Sequence, residues 1–146
     1  MFKNMSAKHA YGDSLIDTCC RDFELGVPTM DGTHREFAAL VNSLAVAQGC
    51  DFVHLFTTLV DHTERHFAHE NKLMEQSGFP PIHIHMAEHA RVLAEMNEMK
   101  RQVSKGSIPF ARAYVKERLP EWFKLHLATM DSALAFHLKQ QQLIEV

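Results

Sequence analysis

Seven side chains of metal-ligand type fall into four clusters along this 146-residue chain: His34; His66 with Glu70; His85 with His89; and His126 with Asp131. His66/Glu70 and His85/His89 are i,i+4 pairs. On an α-helix such pairs stack on one face with Cβ atoms about 5–6 Å apart, so both members can converge on one centre. His126 and Asp131 are five residues apart, a step that turns the second side chain well off the first one's face on an ideal helix. If both serve one site, the helix must end, bend or loosen near Ala128–Met130. Imidazole suits Fe, Zn, Cu and Ni, and a carboxylate can bridge two hard cations. Five imidazoles and two carboxylates therefore suit two adjacent metal ions, with iron the expected pair and both carboxylates bridging. Any one of these histidines alone reads as a hydrogen-bonded core residue; seven ligand types in matching phase on four helices read as a buried site.

The elements that must position them follow from apolar periodicity and breakers. Asp31-Gly32-Thr33 offers N-cap chemistry for a helix over about 33–48, ended by Gly49, with His34, Phe37, Val41 and Leu44 on one stripe. Asp51 is placed to cap a second helix that runs to Gly78, whose seam steps through Phe52, Phe56, Leu59, Thr63, His66, Glu70 and Leu73. Phe79-Pro80-Pro81 breaks the chain. A third helix over about 82–104 repeats the stepping with Ile82, His85, His89, Val92, Met96, Met99 and Val103. After the Lys105-Gly106-Ser107 turn, with Ser107 as cap and Pro109 in the first turn, a fourth helix carries Val115, Leu119, Trp122 and His126 on one face. Pro120 inside it predicts a kink or a division, and residues 131–142 a short fifth helix. The expected fold is all-α: an antiparallel up-down-up-down four-helix bundle. An irregular N-terminal leader over 1–22 precedes the bundle domain of 23–146 and packs across one end of it.

Composition narrows the function classes. One domain with one core fits this length. A formal net charge of −3 gives no reason to expect a nucleic-acid or anionic-membrane partner. No stretch approaches the roughly 18 apolar residues of a spanning helix, so no membrane insertion is expected. The N-terminus shows no secretory h-region, and Cys19, Cys20 and Cys50 have no metal-site spacing, which fits a reducing cytoplasm. The informative bias is 11 histidines and 8 methionines, because only the first can be ligands in quantity. His9, His54, His83 and His137 read as surface residues, His62 and His69 as solvated or partly buried, Glu88 as a solvated outer charge, and the methionines as core fillers.

Charge counting separates this ligand set from other two-metal bundles. Glu70, Asp131 and one bridging hydroxide offset all but one charge of two Fe(II). If O2 takes one electron from each iron and the proton moves from the hydroxide, uptake changes no net buried charge, which a low dielectric would penalise. Oxidase-type bundles instead carry two Glu-x-x-His motifs and two further Glu. Five histidines with two carboxylates favour holding O2 over activating it.

Together these stretches resemble the hemerythrins, in particular the bacterial single-domain type. The matching residues are Asp31-Gly32-Thr33-His34, His66-Phe67-Ala68-His69-Glu70 with Met74, Phe79-Pro80, His85-x-x-x-His89 and Trp122-x-x-x-His126-x-x-x-x-Asp131, spanning about 23–138. The resemblance implies that His85, His89 and His126 hold one coordinatively full iron. It implies that His34 and His66 hold the other, with Glu70 and Asp131 bridging an oxo- or hydroxo-linked pair. It also implies an O2 pocket walled by Phe37, Phe67, Trp122 and Phe123. Asn71 stands where many members carry a second Glu, and Phe123 where Leu is expected near bound O2; His62, His69 and Pro120 also depart from the family pattern. The leading expectation is a non-enzymatic O2 carrier, storage or supply protein. A di-iron redox enzyme or sensor acting on peroxide, nitric oxide or O2, and a module that stores or senses iron or zinc, stand as the alternatives.

Overall fold

The computed structural model describes residues 14–145. Helices α1 (Pro28–Val46), α2 (Gly49–Ser77) and α3 (Ile82–Ser104) are followed by a fourth limb built from five helical pieces. These are α4 (Pro109–Ala113), a π turn (Tyr114–Arg118), α5 (Leu119–His126), a second π turn (Leu127–Asp131) and α6 (Ser132–Glu145). Among the described residues there is no strand, and no helix is long and apolar enough to cross a membrane.

The order of buried residues along each limb establishes the topology. A large apolar cluster contains Phe37, Val41, Leu44, Phe52, Phe56, Leu59, Val92, Val115 and Phe123 among others. A small one holds Met30, Met74, Phe79, Leu134 and Ala135. Walking along α1, the small cluster (Met30) comes first, then His34, then the large cluster; α2 reverses the order, ending in Met74. In the α3 limb Phe79 precedes His85 and His89, and Val92 follows them; the fourth limb again ends in the small cluster at Leu134. Alternating order on four successive limbs is an up-down-up-down antiparallel bundle. The ligand-type residues form a polar layer between two apolar ones.

Several boundaries differ from expectation, each for a local reason. Helix α1 starts at Pro28, which supplies a preset φ at the first turn, and not near Thr33. Asp31 consequently lies inside the helix, buried, where its carboxylate accepts from the backbone N–H of Leu25 (2.8 Å) and Gly26 (3.0 Å). It ties down the incoming chain and does not act as an N-cap. Gly26 has φ +85°, and a Cβ there would meet Lys139 Nζ at 3.2 Å, so glycine permits the approach of α6. Helix α1 closes at Val46, with Ala47 N–H bonded to Ser43 O; Gly49 opens α2, and Asp51 makes no capping bond. Gly78 does end α2 in the left-handed region, with Phe79 N–H bonded to Met74 O (3.0 Å). Pro109 occupies the first turn of α4, but Ile108 and not Ser107 is its N-cap residue.

At Pro120 the fourth limb is divided as expected, the π turn Tyr114–Arg118 giving way to α5 at Leu119, but it does not end. Leu119 N–H reaches back five residues to Tyr114 O, and this widened turn just ahead of Pro120 accommodates its missing donor and its ring. The short helix expected over 131–142 is α6 (Ser132–Glu145), which continues the same limb beyond the second π turn and packs against α2. Of the leader, residues 1–13 lie outside the described part, and with them His9. Residues 14–23 are irregular and lie against the bundle through buried Ile16 and Phe23. Asn42 holds Ile16 from both sides, accepting from its N–H and donating to its C=O, each at 3.0 Å.

Candidate metal centre

His34, His66, Glu70, His85, His89, His126 and Asp131 are all buried and all converge in the polar layer. The i,i+4 pairs on α2 and α3 reach it from regular helix. On the fourth limb the π turn Leu127–Asp131 does the positioning. Ser132 N–H bonds to Leu127 O, five residues back, so the fifth residue returns to the face of the first and Asp131 joins His126. The helix loosens where the five-residue spacing requires it.

Each carboxylate is divided between two groups of imidazoles. Glu70 Oε2 lies 2.7 Å from His66 Nε2 and 3.2 Å from His34 Nε2, while Glu70 Oε1 lies 3.2 Å from His89 Nε2. Asp131 Oδ2 lies 3.1 Å from His34 Nε2, while its Oδ1 lies 3.1 Å from His85 and 3.2 Å from His126 Nε2. All five rings point Nε2 inward, and His85 and His126 bring their Nε2 atoms within 3.2 Å of each other. Metal–nitrogen and metal–oxygen bonds of about 2.0–2.2 Å would place neighbouring donors on one ion about 3 Å apart. The observed separations of 2.7–3.2 Å are of that size.

Hydrogen bonding also leaves the donor set unfinished. Both Asp131 oxygens, Glu70 Oε1 and His89 Nε2 are buried without a hydrogen-bond partner. Such atoms are costly unless a cation completes them. The residues present thus fit a pair of metal ions. Without metal, protons serve instead. Burial works against a charged His34, but the oxygens of Asp131 and Glu70, 3.1 and 3.2 Å from its Nε2, outweigh it and raise its pKa to about 9. Burial alone would push Glu70 up; the charge of His66 and the close imidazole nitrogens of His34, His66 and His89 hold it well below the usual carboxylate range. For Asp131, burial and the charge of Glu70 both push upward, and the imidazole nitrogens of His126, His34 and His85, 3.1–3.2 Å from its oxygens, more than reverse them.

Around the seven lies an aromatic and polar sheath. Phe67 stacks on His89 (centroids 4.0 Å, 5°) and also touches His66 (5.2 Å). Trp122 stacks on His126 (4.6 Å, 19°). Phe37 and Phe123 stack on each other (4.7 Å); Phe123 stands edge-on to His34 (5.7 Å), and Phe37 faces His66 (6.3 Å). The four residues expected to wall one pocket are therefore distributed, with Phe37 and Phe123 on the His34/His66 side and Trp122 on the His126 side.

Two roles escaped the sequence reading. Asn71 Oδ1 accepts from His89 Nδ1 at 2.8 Å, which leaves Nε2 of that ring as the inward atom; its place directly after Glu70 was the available signal. Glu88 is no free outer charge: it is a quarter exposed, accepts from Trp122 Nε1 (2.8 Å) and pairs with Arg91 (2.6 Å). That pairing with Arg91, followed by the Trp122 bond, holds its pKa well below normal. His137, expected at the surface, is half-buried and bonds Ser77 O at 2.9 Å. His54, His69 and His83 are exposed, whereas His62 is mostly covered and pairs with Glu36 (2.9 Å).

The fold and the site together define an antiparallel four-helix bundle with a buried histidine–carboxylate cluster suited to metal. Comparison with known proteins agrees. The profile of the Hemerythrin HHE cation binding domain matches residues 25–135. A bacteriohemerythrin of Ralstonia nicotianae is 41% identical over 117 residues, covering 80% of this chain and 85% of that protein. Bacteriohemerythrins of Stenotrophomonas maltophilia (27% over 122 residues; 81% of this chain, 78% of that one) and Pseudomonas aeruginosa (25% over 115; 76% and 74%) are also similar. No solved structure matches. The chain belongs to the hemerythrin family.

Proposed function

We propose that this chain binds O2 reversibly at a pair of non-heme iron ions and serves as an O2 carrier, store or supply protein in the cytoplasm, without enzymatic turnover. The observation that carries the reading is the unequal division of donors around the split carboxylates. His85, His89 and His126 with Glu70 Oε1 and Asp131 Oδ1 supply five protein donors to one position. His34 and His66 with Glu70 Oε2 and Asp131 Oδ2 supply four to the other. With a bridge shared between two ions, the second position would be one ligand short of six, and it is the position beside the buried rings of Phe37 and Phe123.

Iron, when bound, supplies electrons that O2 borrows and returns. The chain's own residues make the exchange reversible. Five neutral imidazoles and only two carboxylates keep the charge of the cluster low, and the aromatic wall excludes the water and protons that would make electron loss permanent. The test is an anaerobic optical titration of the reduced, iron-loaded protein through several cycles of O2 addition and removal. A visible charge-transfer band that comes and goes with O2 is the expected result. Rapid conversion to a stable oxidised spectrum favours a redox enzyme or sensor instead, and no visible band at any stage overturns the iron assignment.

A further inference from the structure

Cys19 and Cys20 are adjacent and both exposed, on the irregular segment that crosses the fourth limb. The turn that carries them is held on both sides. Cys19 N–H bonds to Asp17 Oδ1 (2.9 Å), and Cys20 C=O accepts from Phe23 N–H (3.1 Å). Buried Ile16 and Phe23 anchor the segment, Ile16 through Asn42 and Phe23 against Phe123 (6.3 Å). Between this segment and the fourth limb lies a cavity of about 330 Å³ that is open to solvent. Buried Ile16 and Phe123 contribute to its floor, Cys20 to its wall, and the exposed charges of Asp17, Asp22 and Lys124 to its rim. Small-molecule sites combine an apolar lining with a few placed polar groups, and here a sulfur nucleophile stands among them.

We infer that Cys19 and Cys20 form a thiol-exchange site for a small zwitterionic disulfide of the glutathione type, with Cys20 the attacking sulfur and Cys19 the resolving one. The rim carries both signs of charge, so a carboxylate of the ligand is matched by Lys124 and its ammonium by Asp17 and Asp22. As thiolate, Cys20 attacks one sulfur of the ligand. A Cys20–ligand S–S bond forms, the ligand's own S–S bond breaks, and one thiolate leaves and takes up a proton. Cys19 then attacks the Cys20 sulfur, closes a Cys19–Cys20 disulfide and releases the second ligand thiol. Two protein thiols are oxidised, one ligand disulfide is reduced to two thiols, and the two protein thiol protons end on those thiols. Neighbouring residues hold their Cα atoms about 3.8 Å apart, short of the roughly 4.4–6.8 Å usual in disulfides. The bridge is therefore strained and easily reduced, so it closes when small disulfides accumulate and reopens when thiols dominate. Nothing in this chemistry depends on the metal centre.

The test exposes the full-length chain, its thiols reduced, to glutathione disulfide, traps free thiols by alkylation at set times and reads each cysteine by peptide mass spectrometry. Cys50, equally exposed at the start of α2 but not lining this cavity, is the internal reference. The peptide holding Cys19 and Cys20 is expected to lose two hydrogens, without a lasting adduct, about tenfold faster than Cys50 is modified, the gain from a weakly held encounter. A thiol reductant should reverse it. Cys19→Ser should trap a stable glutathione adduct on Cys20, and Cys20→Ser should leave Cys19 reacting no faster than Cys50. Lys124→Ala should slow Cys20 and leave Cys50 unchanged. All three positions are exposed, and thermal melts check that each variant keeps the fold. Cys20 reacting at the Cys50 rate overturns the site. Rates unmoved by Lys124→Ala overturn the charge match with the ligand. A lasting adduct on the parent chain, as in Cys19→Ser, overturns the resolving role of Cys19.

Discussion

Replacing Asn71 by leucine separates a ligand-orienting hydrogen bond from a merely structural one. In the metal-free protein, His89 donates from Nδ1 to Asn71 Oδ1 at 2.8 Å, and its Nε2 lies 3.2 Å from Glu70 Oε1. With Asn71→Leu the free ring can move its proton to Nε2, where the Glu70 carboxylate is at hand, so the metal-free state loses little. Metal binding forbids that escape. It claims the Nε2 lone pair, forces the proton onto Nδ1 and leaves a buried donor with no acceptor. The penalty of about 1–3 kcal/mol for such a group falls on the metal-bound state alone, and corresponds to roughly 5- to 150-fold weaker binding at the His85/His89/His126 position. Competition against a graded series of chelators, with metal content measured at each step, reads the affinity, and thermal melts with and without metal read the stability. Asn71→Asp, which keeps an acceptor and adds charge, should bind at least as tightly as the parent. Equal destabilisation of both states by Asn71→Leu, or unchanged affinity, would refute the tautomer argument.

Three further outcomes follow from the same geometry. His34, raised from 6.5 to about 9 in the metal-free protein, contributes stability fully below pH 6.5 and loses it as pH climbs through 9, on the order of 3 kcal/mol or roughly 10 °C in Tm. Glu70 and Asp131, held low, lose theirs only as pH falls below the ordinary carboxylate range. Calorimetry should therefore show metal-free Tm declining from pH 6.5 to 9 and metal-loaded Tm holding steady. Asp31→Ala strands the N–H groups of Leu25 and Gly26 and should cost about 2 kcal/mol in urea unfolding, with metal stoichiometry unchanged. Trp122→Phe keeps a ring over His126 but loses the bond to Glu88, costing about 1 kcal/mol, whereas Trp122→Ala should cost about 3–5 kcal/mol, the difference measuring the packing of that ring.

Much of this protein is determined by the sequence alone. Helix periodicity placed Phe52, Phe56, Leu59, His66 and Glu70 on one face, and the breakers at Gly78-Phe79-Pro80 and Lys105-Gly106 separated the limbs. The five-residue step from His126 to Asp131 required a loosened helix, and a π turn occupies that step. These features are local: a face, a turn or a phase depends on residues within one or two helical turns. Tertiary structure decided the rest. Asp31 looked like a cap until the incoming chain at Leu25 and Gly26 was seen to need its oxygens. Glu88 looked solvated until Trp122, 34 residues away, presented its indole N–H. Pro120 predicted a kink or a division; that the limb answers with a widened turn just ahead of it and then continues is not encoded in propensity. Which oxygen of Glu70 or Asp131 faces which imidazole depends on how four limbs meet in space, and no spacing along one helix encodes that.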